Sequence, residues 1–316
     1  MGIGEWVFGV DLRENHVPIQ RGFVLRRKTG RNGMYKVRYT NDKKGILEDW
    51  DADPGELFAT REDAETALHT HFMDGKINEL IEVGDLEALR IYLRANPDVM
   101  VLPRIYSAGR PMKYTSVRKA MVLAPLYDGS KELDGNLINS YFCLLQRSTG
   151  LSGHVFLHTH LLSFPHDQID ETKLRNHVAE WDLLRQEDLH TVYLPVHVDH
   201  NHWYLAILNS LNSRYEIWDS LARRRQPTKY YGLIVEKLRL LKEILFPGQP
   251  KWTDLSNVPH EGAARQQGIL DCGAFVCKFA SEFLRNGTAE HVSRAAVQNG
   301  NAFRNEMLVA LCKGSL

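Results

Sequence analysis

The chain has 316 residues, 43% of them hydrophobic and 25% charged, which is typical of a soluble globular protein with one large or two ordinary domains. Lys plus Arg and Asp plus Glu number 39 each, so net charge argues against nucleic acid or a membrane surface as the partner. We find no apolar run as long as a membrane span, no signal-peptide pattern and no zinc-like spacing of the four cysteines. We therefore expect an intracellular protein of the nucleus or cytoplasm that needs no metal and no other cofactor.

The first sixty residues, 1–60, have the pattern of short strands separated by Gly- and Asn-containing turns. The predicted strands are Trp6–Val10, Gly22–Arg26, Met34–Tyr39 and Ile46–Trp50. This predicts a small antiparallel β-barrel of the SH3 or Tudor type. Four aromatic residues of this barrel either pack as core and cross-strand pairs or form a cage for methylated lysine. These residues are Trp6, Tyr35, Tyr39 and Trp50. The sequence leaves the ligand of the barrel open.

Residues 61–112 change to helical spacing, with a predicted helix that opens at Arg61 and a helical hairpin broken at Gly84 and Asp85. The hairpin faintly resembles one ankyrin repeat, but a single repeat cannot bury its own apolar face. We interpret this stretch as a helical connector. The irregular, proline-containing segment 103–128 predicts that a second domain begins near residue 113.

Residues 113–316 alternate between helical and strand periods, which predicts an α+β domain with three antiparallel strands. The predicted helices are Leu133–Leu145, with a capped start, Glu171–Gln186, Tyr230–Leu245 and a closing helix at Ala302–Cys312. The predicted strands are Thr191–Val198, Trp203–Leu208 and Tyr215–Trp218, followed by a short strand near Trp252.

The chemistry centres on Cys272, which follows a possible helix cap, Asp271, and opens an apolar helical run. Free backbone N–H groups at a helix start favour the nucleophilic thiolate. Gly273 leaves room for another group to approach closely. Gln266, in the entering loop, could direct its amide N–H toward the atom that the sulfur attacks. The alternative is that Cys272 is an ordinary buried cysteine.

A histidine and an aspartate with the spacing of catalytic partners lie upstream of the cysteine. His202 begins one predicted strand and Asp219 ends the next, with a hairpin turn between them. Antiparallel pairing brings these positions together, so Asp219 can orient the imidazole and His202 can accept the thiol proton. Two other histidines, His197 and His200, are interpreted as solvated turn residues, and Cys277 as a core residue.

In these motifs the chain resembles the ubiquitin-like-protein proteases, that is, the SUMO- or sentrin-specific cysteine proteases, with adenovirus protease as a distant relative. The residues that carry the resemblance occur in the family's order over roughly 115–316. They are His202-Trp203, Trp218-Asp219-Ser220-Leu221, Gln266, and Asp271-Cys272-Gly273-Ala274-Phe275-Val276-Cys277.

The resemblance implies a papain-like, adenain-like cysteine protease domain that cleaves after the C-terminal diglycine of SUMO or another ubiquitin-like protein. It assigns Cys272 as nucleophile, His202 as general base and acid, Asp219 as the orienting residue and Gln266 as an oxyanion donor. It assigns Trp203 to the cover of the diglycine channel. The partners would be the modifier and its conjugates.

The sequence departs from the SUMO-specific pattern before the first helix of the domain. A second channel tryptophan is usual there, whereas this chain has Lys131-Glu132-Leu133-Asp134. Two other hypotheses stay open. One is an acetyltransferase of similar fold that uses the same cysteine and histidine. The other is a peptide or chromatin reader in which the barrel is active and the second domain is a scaffold.

Overall fold

The computed structural model of the protein describes residues 6–9, 20–27, 35–41, 46–52, 57–58, 75–99, 101, 119–149, 153–164, 171–180, 188–199, 202–221, 230–250, 252–254, 265–266, 268–287 and 300–316. The predicted helix at Arg61, most of the segment 103–128 and the end of the predicted helix Glu171–Gln186 lie outside these residues. So do His200, and the side chains of the four aromatic residues considered for a methyl-lysine cage.

The N-terminal region forms an antiparallel sheet close to the predicted strands. Its five described strands are β1 (Trp6–Gly9), β2 (Gln20–Arg27), β3 (Tyr35–Asn41), β4 (Ile46–Ala52) and β5 (Leu57–Phe58). Their order is β4-β3-β2-β1-β5, and each pair of neighbours is antiparallel. A meander whose last strand returns to the first fits an SH3- or Tudor-like barrel, and the barrel itself stays a prediction.

The rest of the described chain is a mixed α+β domain, as predicted. Its helices are α1 (Gly75–Val83), α2 (Leu86–Ala95), α3 (Ala124–Asp128), α4 (Gly135–Ser148), α5 (Glu171–Glu180), α6 (Tyr231–Leu245), α7 (Cys272–Asn286) and α8 (Gly300–Lys313). Its strands are β6 (His154–Phe156), β7 (Leu162–Phe164), β8 (Thr191–Val198), β9 (His202–Asn209), β10 (Arg214–Trp218) and β11 (Thr253–Asp254).

The predicted antiparallel strands β8, β9 and β10 form the centre of a larger sheet with the order β11-β10-β9-β8-β6. Strands β6 and β7 both pair in parallel with β8, and β11 pairs in parallel with β10. These short edge strands extend the sheet on both sides. The central hairpins therefore lie inside it, where their side chains can be buried.

Helices cover both faces of this sheet and form a separate core with each face. The residues of β9 alternate between these two cores. Trp203, Leu205 and Ile207 belong to a core shared with α1, α2, α4, α7 and α8. Their neighbours Tyr204 and Ala206 belong to a second core, shared with α5 and α6. The strand that carries His202 is therefore held from both sides, which suits a side chain that must be placed accurately.

Two helices of the predicted connector pack into the first of these cores. Ile77 of α1 and Leu89 and Leu93 of α2 are fully buried there, in the same cluster as Cys272. An isolated connector would expose such residues to water. The packing thus favours a catalytic domain that begins before residue 113.

Within the described part of the chain, we find no helix with the length and apolar character needed to cross a membrane. The same residues contain no group of three or more His, Cys, Asp or Glu side chains arranged to hold a metal ion. All four cysteines are described and buried, and none of them forms a disulfide bond.

Candidate active site

The sulfur of Cys272 lies at the start of α7, where the sequence placed it. The residue is buried and is the first of the helix, and the backbone N–H of Phe275 donates to the carbonyl of Asp271 at 3.0 Å. Asp271 occupies the N-cap position, but its side chain makes no capping hydrogen bond. The expectation that the Asp271 carboxylate caps this helix is therefore wrong.

The Asp271 carboxylate instead pairs with Arg304, a fully buried residue of α8. The distance from Arg304 Nε to Asp271 Oδ1 is 2.8 Å. The other guanidinium N–H groups of Arg304 donate to the carbonyls of Pro125, Lys131 and Leu270. A buried guanidinium with all these partners is well satisfied, and it fixes the loop that leads into Cys272.

Gly273 permits a close approach to the segment before α4. A Cβ atom at this position would lie 2.9 Å from the Cβ of Leu133 and 3.3 Å from the Cδ1 of Ile138. The group that needs the space is therefore a side chain of the protein. As a result, Leu133 lies directly beside the residue that follows the nucleophile.

His202 and Asp219 meet as the hairpin predicts. The last residues paired between β9 and β10 are Leu205 and Trp218, so His202 and Asp219 extend beyond the pairing at the same end. The distance between His202 Nε2 and Asp219 Oδ1 is 2.8 Å, and both residues are buried. Asp219 Oδ1 also accepts the backbone N–H of Leu221 at 2.8 Å.

The imidazole of His202 has partners on both sides. Burial alone lowers the pKa of His202, but its contacts with the Asp219 carboxylate and the Cys272 sulfur outweigh burial and raise the pKa to about 9. Because Asp219 engages Nε2, Nδ1 is the ring nitrogen left to face the sulfur, and Nδ1 makes no hydrogen bond of regular geometry within the described part of the chain. At neutral pH the ring therefore carries a proton, which fits a thiolate–imidazolium pair.

Gln266 contacts Ser220, the residue that follows Asp219, and is 8% exposed. Its backbone N–H donates to the carbonyl of Ser220 at 3.0 Å, and its Oε1 accepts the hydroxyl of Ser220. Its Nε2 donates to the carbonyl of Gly268. An amide nitrogen has two N–H groups, so one donor remains after these contacts. The neighbouring Gln267 lies outside the described residues.

Trp203 forms one wall of a cavity of about 340 Å³. Its indole N–H donates to the carbonyl of Leu133 at 3.1 Å, and Leu133 contacts the Gly273 position. The residues that line the cavity are Glu132, Leu133, Asp134, Gly135, Thr159, His160, His197 and Trp203. Leu133 thus contacts both this cavity and the start of α7.

His197 is part of this wall, which corrects the expectation of a solvated turn histidine. It is a residue of β8 directly opposite Trp203, and the two rings stack with centroids 4.2 Å apart and planes at 20°. The turn begins only after Val198. Counting back from the turn through the antiparallel pairing would have placed His197 beside Trp203.

The other cysteine considered from the sequence lies away from the site. Cys277 is fully buried, and burial raises its pKa well above the ordinary value, so it is a core residue as expected. Sequence reasoning missed Arg304 and Ser220. Ser220 carried one signal, its place directly after Asp219, whereas nothing in the sequence around Arg304 marked it as part of the site.

One protein family matches the chain. The family described as the Ulp1 protease family, C-terminal catalytic domain, matches residues 154–311, which is half of the chain. No curated protein sequence matches the chain significantly.

Several solved structures share the fold. The C-terminal Ulp1 protease domain in complex with SMT3, the yeast ortholog of SUMO, matches with a TM-score of 0.51 and 13% identity, over 76% of this chain and 96% of that chain. The catalytic domain of the Chaetomium thermophilum Ulp1-like SUMO protease matches with a TM-score of 0.52 and 15% identity, over 77% of this chain and 90% of that chain. At such identities the likeness concerns the fold.

Proposed function

The chain belongs to the Ulp1 protease family and is thus a cysteine protease, and we propose that it cleaves after the C-terminal diglycine of SUMO or another ubiquitin-like protein. The reaction would be precursor processing or removal of the modifier from its conjugates. The observation that carries the proposal is the contact of His202 with both Asp219 and Cys272. This arrangement supplies a nucleophile, a base and an orienting carboxylate in one buried place.

The geometry supports acyl transfer in two steps. With the thiol proton already on His202, the Cys272 thiolate attacks the glycine carbonyl carbon, which forms a tetrahedral oxyanion. His202 then donates the proton to the leaving amine as the C–N bond breaks, and an acyl-thioester remains on Cys272. Water, deprotonated by His202, attacks the thioester, and the thiol leaves with a proton from the same ring.

Gln266 and the backbone N–H of Cys272 are proposed as oxyanion donors. Gln266 retains one amide N–H after its contact with the Gly268 carbonyl, and its position is set by the segment that also carries Asp219. Removal of one such donor lowers kcat by about 10² to 10³ in other proteases. We therefore expect a smaller loss for Gln266 variants than for Cys272 variants.

The cavity beside Trp203 is the proposed channel for the diglycine tail. One side of it is the segment at Leu133, which lies against Gly273 and accepts the indole N–H of Trp203. In the proposal the channel is narrow, which favours glycine because any other residue brings a Cβ atom. With Glu132 and Leu133 in place of a second channel tryptophan, the contacts do not single out SUMO among ubiquitin-like proteins.

The four cysteines, which form no disulfide bond, support an intracellular location in the nucleus or cytoplasm.

Covalent probes test this function directly. We would treat the protein with SUMO, ubiquitin and other ubiquitin-like proteins that carry a C-terminal vinyl sulfone or propargyl amide, and identify the modified residue by mass spectrometry. We expect an adduct on Cys272 with at least one probe and none with Cys272→Ala. Cys312→Ala, at another buried cysteine, is the matched control and should keep the adduct.

Two outcomes would contradict the proposal. One is an adduct that persists in Cys272→Ala. The other is a folded protein that reacts with no probe in the panel, although iodoacetamide modifies Cys272. In the second case, transfer from acetyl-CoA to Cys272 would be the next activity to measure.

A further inference from the structure

We propose that Ser220 is a positioning residue of the active site, which holds the side-chain amide of Gln266 in the orientation that oxyanion binding requires. This inference rests on the proposed role of Gln266 as a donor. Ser220 itself is not placed in contact with the substrate. Its effect passes through the one side chain that it holds.

Two contacts join these residues. The Ser220 hydroxyl donates to Gln266 Oε1, and the Ser220 carbonyl accepts the backbone N–H of Gln266 at 3.0 Å. Ser220 is 2% exposed and Gln266 8%, so water has little access to replace the hydroxyl. Without it, Oε1 would lose its partner in a place where an unpaired acceptor is unfavourable.

The contacts also define which way the amide points. The carbonyl of Gly268 is an acceptor only, so the group beside it must be the Gln266 NH₂. The Ser220 hydroxyl then donates to the oxygen at the other side of the amide. With both sides held, the second N–H of Gln266 has a fixed direction, which is the condition for stabilising charge in the transition state without reorganisation.

The same short segment holds the base. Asp219 accepts from His202 Nε2 and from the backbone N–H of Leu221, and Ser220 lies between these two residues. Orientation of the imidazole and orientation of the amide therefore both depend on residues 219–221. Ser220 can orient the Gln266 amide without affecting the orientation of the imidazole, because its hydroxyl contacts Gln266 and not His202.

A double-mutant cycle distinguishes positioning through Gln266 from a general structural role. Ser220→Ala should lower kcat about tenfold and leave KM within twofold, while Gln266→Ala should lower kcat by about 10² to 10³. The double variant should be no slower than Gln266→Ala alone. Ser281→Ala is the matched control, since Ser281 is also 2% exposed and bonds to Tyr141.

A second readout follows the oxyanion itself. A ubiquitin-like protein with a C-terminal aldehyde forms a tetrahedral adduct with the cysteine, and its affinity should fall in Ser220→Ala by the same factor as kcat. Binding of the unmodified ubiquitin-like protein to a Cys272→Ala background should not change. If Ser220→Ala does not fold, Ser220→Cys keeps a weaker donor in place and enters the same cycle.

Additive losses in the double variant would overturn the inference, because Ser220 would then act independently of Gln266. Equal kcat for Ser220→Ala and the parent protein would overturn it as well. If Gln266→Ala had no effect, both the donor role and the positioning role would be wrong. The protease function would still stand in that case, provided that the covalent probes modify Cys272.

Discussion

Replacing Asp219 by Asn tests the electrostatic basis of the site. The substitution keeps the size of the side chain and removes its negative charge. Asp219 is 3% exposed, so neither bulk water nor salt screens that charge strongly. We expect the change to act mainly on His202, whose Nε2 lies 2.8 Å from the carboxylate.

The magnitude follows from the pKa of His202. The rise from the ordinary value of 6.5 to about 9 corresponds to about 3 kcal/mol of extra stabilisation of the imidazolium. Because the folded-state pKa is raised, this stabilisation is complete below pH 6.5 and is lost as the pH rises through about 9. The hydrogen bond and the negative charge of Asp219 oppose the effect of burial on the pKa of His202. Removing the charge should therefore lower this pKa well below 9.

The assay is the pH dependence of kcat/KM on a ubiquitin-like protein with a fluorogenic C-terminal amide. For the parent protein we expect an alkaline limb near pH 9, where His202 loses its proton. For Asp219→Asn we expect this limb at lower pH and a kcat lower by up to about 10⁴, as in serine-protease triads. The melting temperature of the parent protein should fall as the pH rises toward about 9 and His202 loses its proton. This fall should be absent from Asp219→Asn.

Glu216→Gln is the matched control, because it neutralises a buried carboxylate on the strand that precedes Asp219, β10, where Glu216 pairs with Arg214 and Trp218. This control should keep the alkaline limb near pH 9. If Asp219→Asn folds and keeps both its turnover and its alkaline limb, then Asp219 neither orients His202 nor raises its pKa. We would then abandon it as a member of the triad.

The remaining predictions concern packing. Gly273→Ala should lower the free energy of unfolding by about 1–3 kcal/mol and slow turnover, because its methyl group would lie 2.9 Å from Leu133 and must displace it. Gly232→Ala is the control, since an added Cβ there would meet no neighbouring atom within 4 Å. In thermal melts and activity assays this control should be neutral or stabilising. We also propose that residues 75–316 form the catalytic domain. This fragment should match the turnover of the full chain on a minimal substrate. The shorter fragment 113–316 should unfold at a lower denaturant concentration, because each buried core side chain that it lacks contributes about 1.5–3 kcal/mol. A fragment 113–316 as stable and active as 75–316 would restore the boundary drawn from the sequence.

The sequence is most informative where the determining contacts are local. Strand β8 has the predicted bounds, Thr191–Val198, because its apolar, β-branched run ends at a turn. The meeting of His202 with Asp219 follows from one hairpin, whose geometry depends on a few residues between the strands. The family motifs lie on these same elements, so the triad residues could be named without any knowledge of the core.

Contacts between distant segments are where the sequence was silent. Asp271 has the pattern of an N-cap, but its carboxylate is taken by Arg304, which is 33 positions away. A buried ion pair of this type depends on how α8 packs, and helical periodicity does not reveal the partner of an arginine. The edge strands β6 and β7 were missed for a related reason: each has three residues, too few to show a period.

The position of Arg304 has a consequence for the order of events during synthesis. A ribosome releases the nucleophile well before the arginine that immobilises the loop in front of it, and domains generally fold as units once their residues have emerged. A nascent chain that has exposed Cys272 but not yet α8 would therefore hold an unfixed thiol. We therefore expect the site to be complete only after α8 has docked against this loop.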